Sequence, residues 1–195
     1  MSEKTEQKRQ LILDHARKVF ADKGYKSVTM KDIVEACDIS RGGLYLYFPS
    51  VEDVFLAVLE MEEKNTDEEI SGDTLESASN TEMLLWFLKT QKKEILQKKN
   101  NLMIAKYEYA FECKKKKLKP VFHKEMDKAV LVLQNILERG TQRGEFACFD
   151  VKNEARDMML AIEGMKVLAC TTGLSEKMID IEFLHMMERI VIEEE

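Results

Sequence analysis

Proline and glycine are scarce in this chain, with two and eight among 195 residues. Both weaken or break regular elements. Their scarcity beside abundant Leu, Lys, Glu and Met argues for an all-α protein. No apolar run approaches the roughly 18 residues that cross a bilayer, so no membrane partner is expected. The N-terminal stretch MSEKTEQKRQ is polar and lacks the apolar centre of a signal peptide, which predicts a cytoplasmic protein. The four cysteines, Cys37, Cys113, Cys148 and Cys170, are far apart, with no CxxC and no His close in sequence. That spacing argues against a metal site and for thiols that pack as small apolar groups. His15, His123 and His185 show no HExxH spacing. There is no GxSxG, no glycine-rich phosphate loop and no evident carboxylate pair, so the chain is read as a non-enzyme without a cofactor.

Positive charge is also in deficit. The formal net charge is −6, yet residues 1–50 hold nine Lys/Arg against seven Asp/Glu, while the remainder holds 21 against 29. A mildly basic end can still bind phosphates locally, because salt screens charges beyond about 8–10 Å. The acidic remainder weakens non-specific attachment to DNA.

What the chain does have is concentrated in residues 29–55, TMKDIVEACDISRGGLYLYFPSVEDVF. They read as two short helices joined by a tight turn, followed by a longer helix, which is the layout of a helix-turn-helix DNA reader. Met30, Ile33, Val34 and Cys37 fall at i, i+3, i+4 and i+7, one face of a helix. Thr29, Ser40 and Ser50 stand where helices should start, and each hydroxyl can accept from an unpaired backbone N–H. Asp32 and Asp53 follow three residues after Thr29 and Ser50 and favour the positive end of a helix dipole. Asp38 falls in the turn, where a left-handed backbone tolerates it.

At these residues the chain resembles the TetR family of bacterial repressors. The resemblance is carried by Thr29, Ile33, Ala36, Ile39-Ser40, Gly43-Leu44-Tyr45, Tyr47-Phe48 and Ser50-Val51-Glu52-Asp53. It covers about a quarter of the chain; the rest agrees in length, helical pattern and the ERGTQRGEF run at 138–146. The family usually has Gly where Asp38 stands and Lys or Arg, commonly on a phosphate, where Val51 stands. The resemblance implies an N-terminal three-helix DNA-binding domain over 1–49. A larger helical effector-binding and dimerisation domain would follow over 50–195, with about nine helices in all.

Periodicity supplies the remaining elements. The first helix is expected from about Thr5 to Lys23, with Ile12, Ala16, Val19 and Phe20 as its stripe and Gly24 at its end. A fourth helix starts at Ser50, with Val51, Val54, Phe55, Val58 and Leu59 inward. Residues 64–80 are polar and read as a frayed helix end plus a loop. Helices follow at about 81–98 and 101–113, then one from Pro120 to about Gly140, and two more at about 151–171 and 176–193. The first of that last pair carries two apolar stripes, Ala155, Met158, Met159, Ile162, Met165 and Ala169 on one, and Leu160, Ala161, Gly164, Val167 and Leu168 on the other. Burial on both sides is expected, against the chain's own core and against a partner subunit. In the family the two C-terminal helices pair with their copies, and Met158, Ile162, Phe183, Met187 and Ile190 are the expected dimer contacts.

The recognition helix is expected over 40–47. Arg41 can donate twice to guanine O6 and N7 or grip phosphate. Gly42 and Gly43 weaken a helix but let backbone approach DNA closely. By resemblance Thr29, Ser40, Tyr45 and Tyr47 contact backbone or bases, and Lys31 adds charge. Leu44 and Phe48 are core. The Lys114–Lys117 and Lys119 run reads as solvated charge. Trp86, Phe87, Tyr107, Tyr109, Phe111, Phe122, His123 and Met126 lie on the helices that usually surround an effector pocket in the family. From these, Trp86, Tyr107, Phe111, Phe122, His123 and Met126 are the expected effector residues. Aromatic and Met residues at this spacing are also plain core. The expectation is a ligand-released repressor that binds a near-palindromic double-stranded operator as a homodimer, its effector apolar or amphipathic. Two rivals stand beside it, a small-molecule-binding or catalytic helical protein with a vestigial head, and a DNA binder without an effector.

Overall fold

The computed structural model describes residues 3–70, 78–97, 101–115 and 122–190, the side chains of 66–70, 122 and 123 excepted. Among the described residues there are nine helices: α1 (Glu3–Lys23), α2 (Met30–Cys37), α3 (Arg41–Tyr45), α4 (Val51–Ile70), α5 (Asn80–Leu96), α6 (Met103–Lys115), α7 (Phe122–Gln142), α8 (Val151–Thr171) and α9 (Glu176–Glu188). The fold is all-α, as the composition and periodicity predict. The helices form two compact units, each built from two segments of chain. Unit 1 takes residues 1–72 and 98–120, and unit 2 takes 73–97 and 121–195. The three-helix reader expected over 1–49 thus lies in unit 1 together with α4 and α6. Residues 71–77, Pro120 and most of the Lys114–Lys119 run lie outside the described residues.

In unit 1, α1 packs on α2, α4 and α6, and α2 packs on α3. Ile12, Leu13, Ala16 and Phe20 of α1 are buried with Ile33, Leu44, Val54, Phe55 and Val58. Local chemistry sets the helix starts. Thr29 Oγ1 accepts from the Asp32 N–H at 3.3 Å, and the Asp32 carboxylate accepts from the Thr29 N–H at 2.7 Å, so two orphan donors are satisfied reciprocally. Lys23 Nζ, 2.5 Å from the same carboxylate, is the main cause that holds the Asp32 carboxyl well below its usual range, with the Thr29 bonds adding to it. Asp38 ends α2 in the left-handed region with φ 51°.

Four rings from four segments meet in this unit. The Phe55 ring lies 4.8 Å from Phe20, 5.0 Å from Tyr25 and 5.3 Å from Tyr109, and Tyr25 lies 4.9 Å from Tyr109. Tyr109 Oη donates to Glu52 at 3.1 Å. Burial, reinforced by the nearby Glu52 carboxylate, pushes the Tyr25 phenol up to about 12. Burial, then Cys113 and Glu52, raises Tyr109 as well. Tyr109 is thus part of the core of unit 1. Next to it, Glu108 accepts from the Lys26 N–H at 2.9 Å, and Lys26 Nζ lies 3.7 Å from Glu112. Glu108 covers Gly24, whose φ is 74° and whose missing Cβ would fall 2.6 Å from the carboxylate.

In unit 2, α7 packs on α8 and α5, and α5 also meets α8 and α9. The core is largely aliphatic and sulfur-rich, including Leu84, Leu133, Leu137, Met158, Met159, Ile162 and Met186, with Phe87, Phe146 and Phe183 among them. At the end of α7 the Phe146 ring occupies the place of a side chain at Gly140, where a Cβ would sit 2.1 Å away. Glu145, beside it, accepts from Asn80 Nδ2 at 2.7 Å and from the Thr81 N–H at 2.9 Å, so the turn after α7 anchors the start of α5. Lys166 is buried and lies 2.9 Å from Glu94 and 3.0 Å from Glu163. Burial acts to lower its pKa, but the two carboxylates outweigh that and raise it.

Of the two apolar stripes of α8, the one with Met158 and Ile162 is buried and the one with Leu160 and Val167 is exposed in the single chain. Met158, Ile162, Phe183 and Ile190 are buried in the chain's own core, and Met187 packs half-buried against it. They face inward because α5 and α7 cover that side. The apolar surface left uncovered on these helices is Leu160, Val167 and Leu168 on α8 and Met178, Ile181 and Leu184 on α9, with Leu160 56% and Leu184 55% exposed. Gly164 stands in the α8 face with open space around it.

Candidate nucleic-acid interface

α3, where the recognition helix is expected, is short and capped. Ser40 Oγ accepts from the Gly43 N–H at 3.0 Å and caps α3. The helical turn continues past Tyr45, since the Leu46 N–H donates to the Gly42 carbonyl at 3.2 Å and the Phe48 N–H to the Leu44 carbonyl at 3.0 Å. Leu44 and Phe48 are buried and pin this turn to unit 1. The Arg9 guanidinium lies 5.4 Å from the Phe48 ring on the other side of that anchor.

The outer side of α3 is where the expected DNA-contacting residues gather. Ser40, Arg41, Gly42, Tyr45 and Leu46 are exposed, and Gly43 and Tyr47 are half-buried. The Arg41 guanidinium stacks 5.5 Å from the Tyr45 ring, one turn on. This cation–π contact orients the donor fork without using its hydrogen bonds. A Cβ at Gly42 would meet nothing within 4 Å, while one at Gly43 would lie 3.1 Å from Ser40 Oγ. The chain's own packing therefore does not require glycine at 42; Gly43 sits close to its cap.

At the start of α2, Thr29 is exposed but its hydroxyl is committed to Asp32. Lys31 stands free of the core and pairs with Glu35 at 3.6 Å on the surface. Such a pair is worth little in water and opens readily toward a phosphate. Val51 is half-buried at the first position of α4, so it offers a methyl surface where a basic side chain would reach outward.

The expected effector residues do not gather in one unit. Trp86 on α5 and Met126 on α7 both pack half-buried against the core of unit 2. Tyr107 and Phe111 belong to unit 1 on α6. Phe111 is 62% exposed, its ring left to solvent by the turn of α6, so it lines no enclosed site in this structure. The side chains of Phe122 and His123 lie outside the described residues. One buried group missed in the sequence stands out in unit 2. The Gln91 amide oxygen on α5 is buried without a hydrogen-bond partner, a costly state that no periodicity reveals.

Sequence and fold comparisons bear on the whole arrangement. Residues 12–58 match the family described as bacterial regulatory proteins, tetR family, and residues 83–181 match the tetracyclin repressor-like C-terminal domain. The chain is similar to the HTH-type transcriptional regulator QacR of Staphylococcus aureus, 25% identical over 170 residues that make up 85% of this chain and 88% of that protein. It is also similar to the HTH-type regulator YfiR of Bacillus subtilis, 51% identical over 49 residues, or 25% of this chain. The chain spans about a quarter of the length of that curated relative, 24%. Among solved structures it is similar to a transcriptional regulator from Saccharomonospora viridis in complex with choline, with a TM-score of 0.81, 19% identity and coverage of 96% of this chain and 100% of that one. At that identity the likeness speaks to the fold alone.

Proposed function

The chain belongs to the TetR family of bacterial transcriptional regulators, and from that footing we propose that it represses by holding a near-palindromic operator as a homodimer until a small-molecule effector binds. It is a DNA-binding regulator and not an enzyme. The observation that carries the reading is α3, a capped turn pinned by Leu44 and Phe48, with Arg41, Gly42 and Tyr45 turned outward. Residues 1–49 are the reading domain in this proposal, and residues 50–195 supply effector binding and dimerisation in the cytoplasm. Two reading heads entering successive major grooves call for half-sites about one helical turn apart.

The surface we assign to dimerisation is the outer stripe of α8 and α9, Leu160, Gly164, Val167, Leu168, Ile181 and Leu184. A two-fold interface needs a patch that complements itself, and an apolar stripe with a small residue in its midst serves that purpose. For the effector we propose an apolar or amphipathic molecule held by unit 2 near Trp86 and Met126. The unpartnered Gln91 oxygen would accept one hydrogen bond from it. An effector acts by favouring one arrangement of the dimer over another, a coupling typically worth about 1–3 kcal/mol.

The test is fluorescence anisotropy with duplexes from the DNA upstream of the protein's own gene, against random duplexes, across a salt series. Two protomers should bind per palindrome, with a clear preference for the upstream DNA. Arg41→Ala should weaken that specific binding by about 1–3 kcal/mol and relax one position per half-site. Equal affinity of the wild-type protein for upstream and random DNA would end the repressor reading and favour a vestigial head. Operator binding that no extract of small molecules relieves would favour a DNA binder without an effector.

A further inference from the structure

We propose that Leu46 reads the C5-methyl group of a thymine in the major groove, once in each operator half-site; the inference rests on the DNA-binding reading above and deepens it.

The argument begins with helical geometry. Successive residues turn by about 100° around a helix. Leu44 and Phe48 are the two residues by which this turn is buried, and both of its flanking N–H bonds are helical i to i−4 bonds. Leu46 is two residues from each of them, about 200° in either sense, so it is the residue farthest from the core. Its exposure agrees, at 86%. The outermost position of the reading helix is therefore a branched aliphatic side chain that nothing in its own chain covers.

Its neighbours fit a base edge rather than a protein partner. A helical side chain leans over the turn before it, and the residue one turn before Leu46 is Gly42, with open space where a Cβ would stand. Gly42 and Leu46 thus make a notch beside a knob. The notch lets backbone come close to a base pair, and the knob abuts it. The adjacent row holds Arg41 over Tyr45, a long donor already oriented by its ring contact. Polar donors and acceptors in the major groove can be read by Arg41, but a leucine can read only apolar surface. The one apolar group that distinguishes a base pair there is the thymine methyl. The deoxyribose is apolar too, but it is the same for every base and would give affinity without preference.

The experiment uses the full-length protein and a pool of random duplexes. Selection with the wild-type protein should yield a palindromic consensus with a fixed thymine beside the position read by Arg41. Leu46→Ala should lose the preference at that thymine alone. Replacing that thymine with deoxyuridine, which lacks only the methyl group, should weaken the wild-type protein about fourfold per half-site, the fold-change for one buried methyl-sized group. The same replacement should leave Leu46→Ala unaffected. Leu46 touches no core residue, so thermal melting of the variant should match the wild type and exclude misfolding. A consensus that Leu46→Ala reproduces unchanged, or uniform weakening with indifference to deoxyuridine, overturns the role of Leu46 and leaves DNA reading intact. Selection that enriches no sequence at all overturns both.

Discussion

The two units solve the same packing problem with different side chains. Unit 1 is held by a cluster of four rings centred on Phe55 and Tyr25 and by charged groups reaching between helices, such as the fork of Arg17 on Glu62 at 2.8 and 3.0 Å. Unit 2 is held by leucines, isoleucines and methionines with Phe87, Phe146 and Phe183 among them, and by a buried ion triad at Lys166. Ring pairs have preferred angles and lock their neighbours. Methionine has three soft torsions and adapts to the gap it is given. The outer faces differ in the same sense. On α3 a cationic fork, a bare backbone and one leucine stand outward; on α8 and α9 the outward face is aliphatic.

The contrast is broken most severely at that aliphatic face. Leu184→Glu would bury two unpaired carboxylates, one per protomer, at a cost of about 4 kcal/mol or more, near a thousandfold in dimer dissociation. Sedimentation should find folded monomers with poor operator affinity; an intact dimer would move the interface off this face. Next comes the ring core. Phe55→Ala should cost about 3–5 kcal/mol, whereas Met159→Leu in unit 2 should cost less than about 1.5 kcal/mol. Urea unfolding measures both, and equal penalties would erase the distinction between a stiff core and a forgiving one.

Alkaline pH should separate the units without mutation. All five tyrosines lie in unit 1 and the one tryptophan, Trp86, lies in unit 2. An unfolded tyrosine loses its proton near pH 10, while Tyr25 in the folded chain holds it to about 12. The unfolded state thus releases protons first, so the stabilisation is complete below pH 10 and is lost as pH rises toward 12. Tyrosinate absorbance should rise with a late step that coincides with loss of unit 1 structure, ahead of any change in Trp86 emission. Simultaneous change of both signals would show one cooperative block. The smallest effect is expected at Gly42→Ala, which should change stability by no more than about 1 kcal/mol, in the favourable direction. Its operator binding should fall all the same. Unchanged operator binding would show that DNA does not approach the backbone there.

The local devices of the fold were legible because they are local. Thr29 with Asp32, Ser40 before the reading turn, and Asp38 at a left-handed corner each involve residues within three or four positions, and their residue types carry the reason. The two stripes of α8 were also legible, but periodicity marks apolar faces without saying which is inside. That choice is made by α5 and α7, so Met158 and Ile162 went to the core and Leu160 and Val167 to the surface. The partners of Tyr109 were hidden for the same reason. Its hydroxyl meets Glu52, 57 residues away, and no spacing within α6 announces that. Leu46 was passed over because a leucine inside an LYxYF run reads as filler until its direction is known.

The aromatic cluster of unit 1 also sets an order of events at the ribosome. Tyr109 arrives on α6, which ends at Lys115, 45 residues after α4 ends at Ile70. Tyr109 follows Phe55 by 54 residues, so at roughly 5–20 residues per second the rings of Phe20, Tyr25 and Phe55 wait on the order of 3–11 s for their fourth member. During that wait the nascent N-terminal segment shows an incomplete apolar face, a natural binding site for chaperones. A fragment ending before α6 never leaves that state, so an isolated reading head cut from this chain carries the sticky surface of its own folding intermediate.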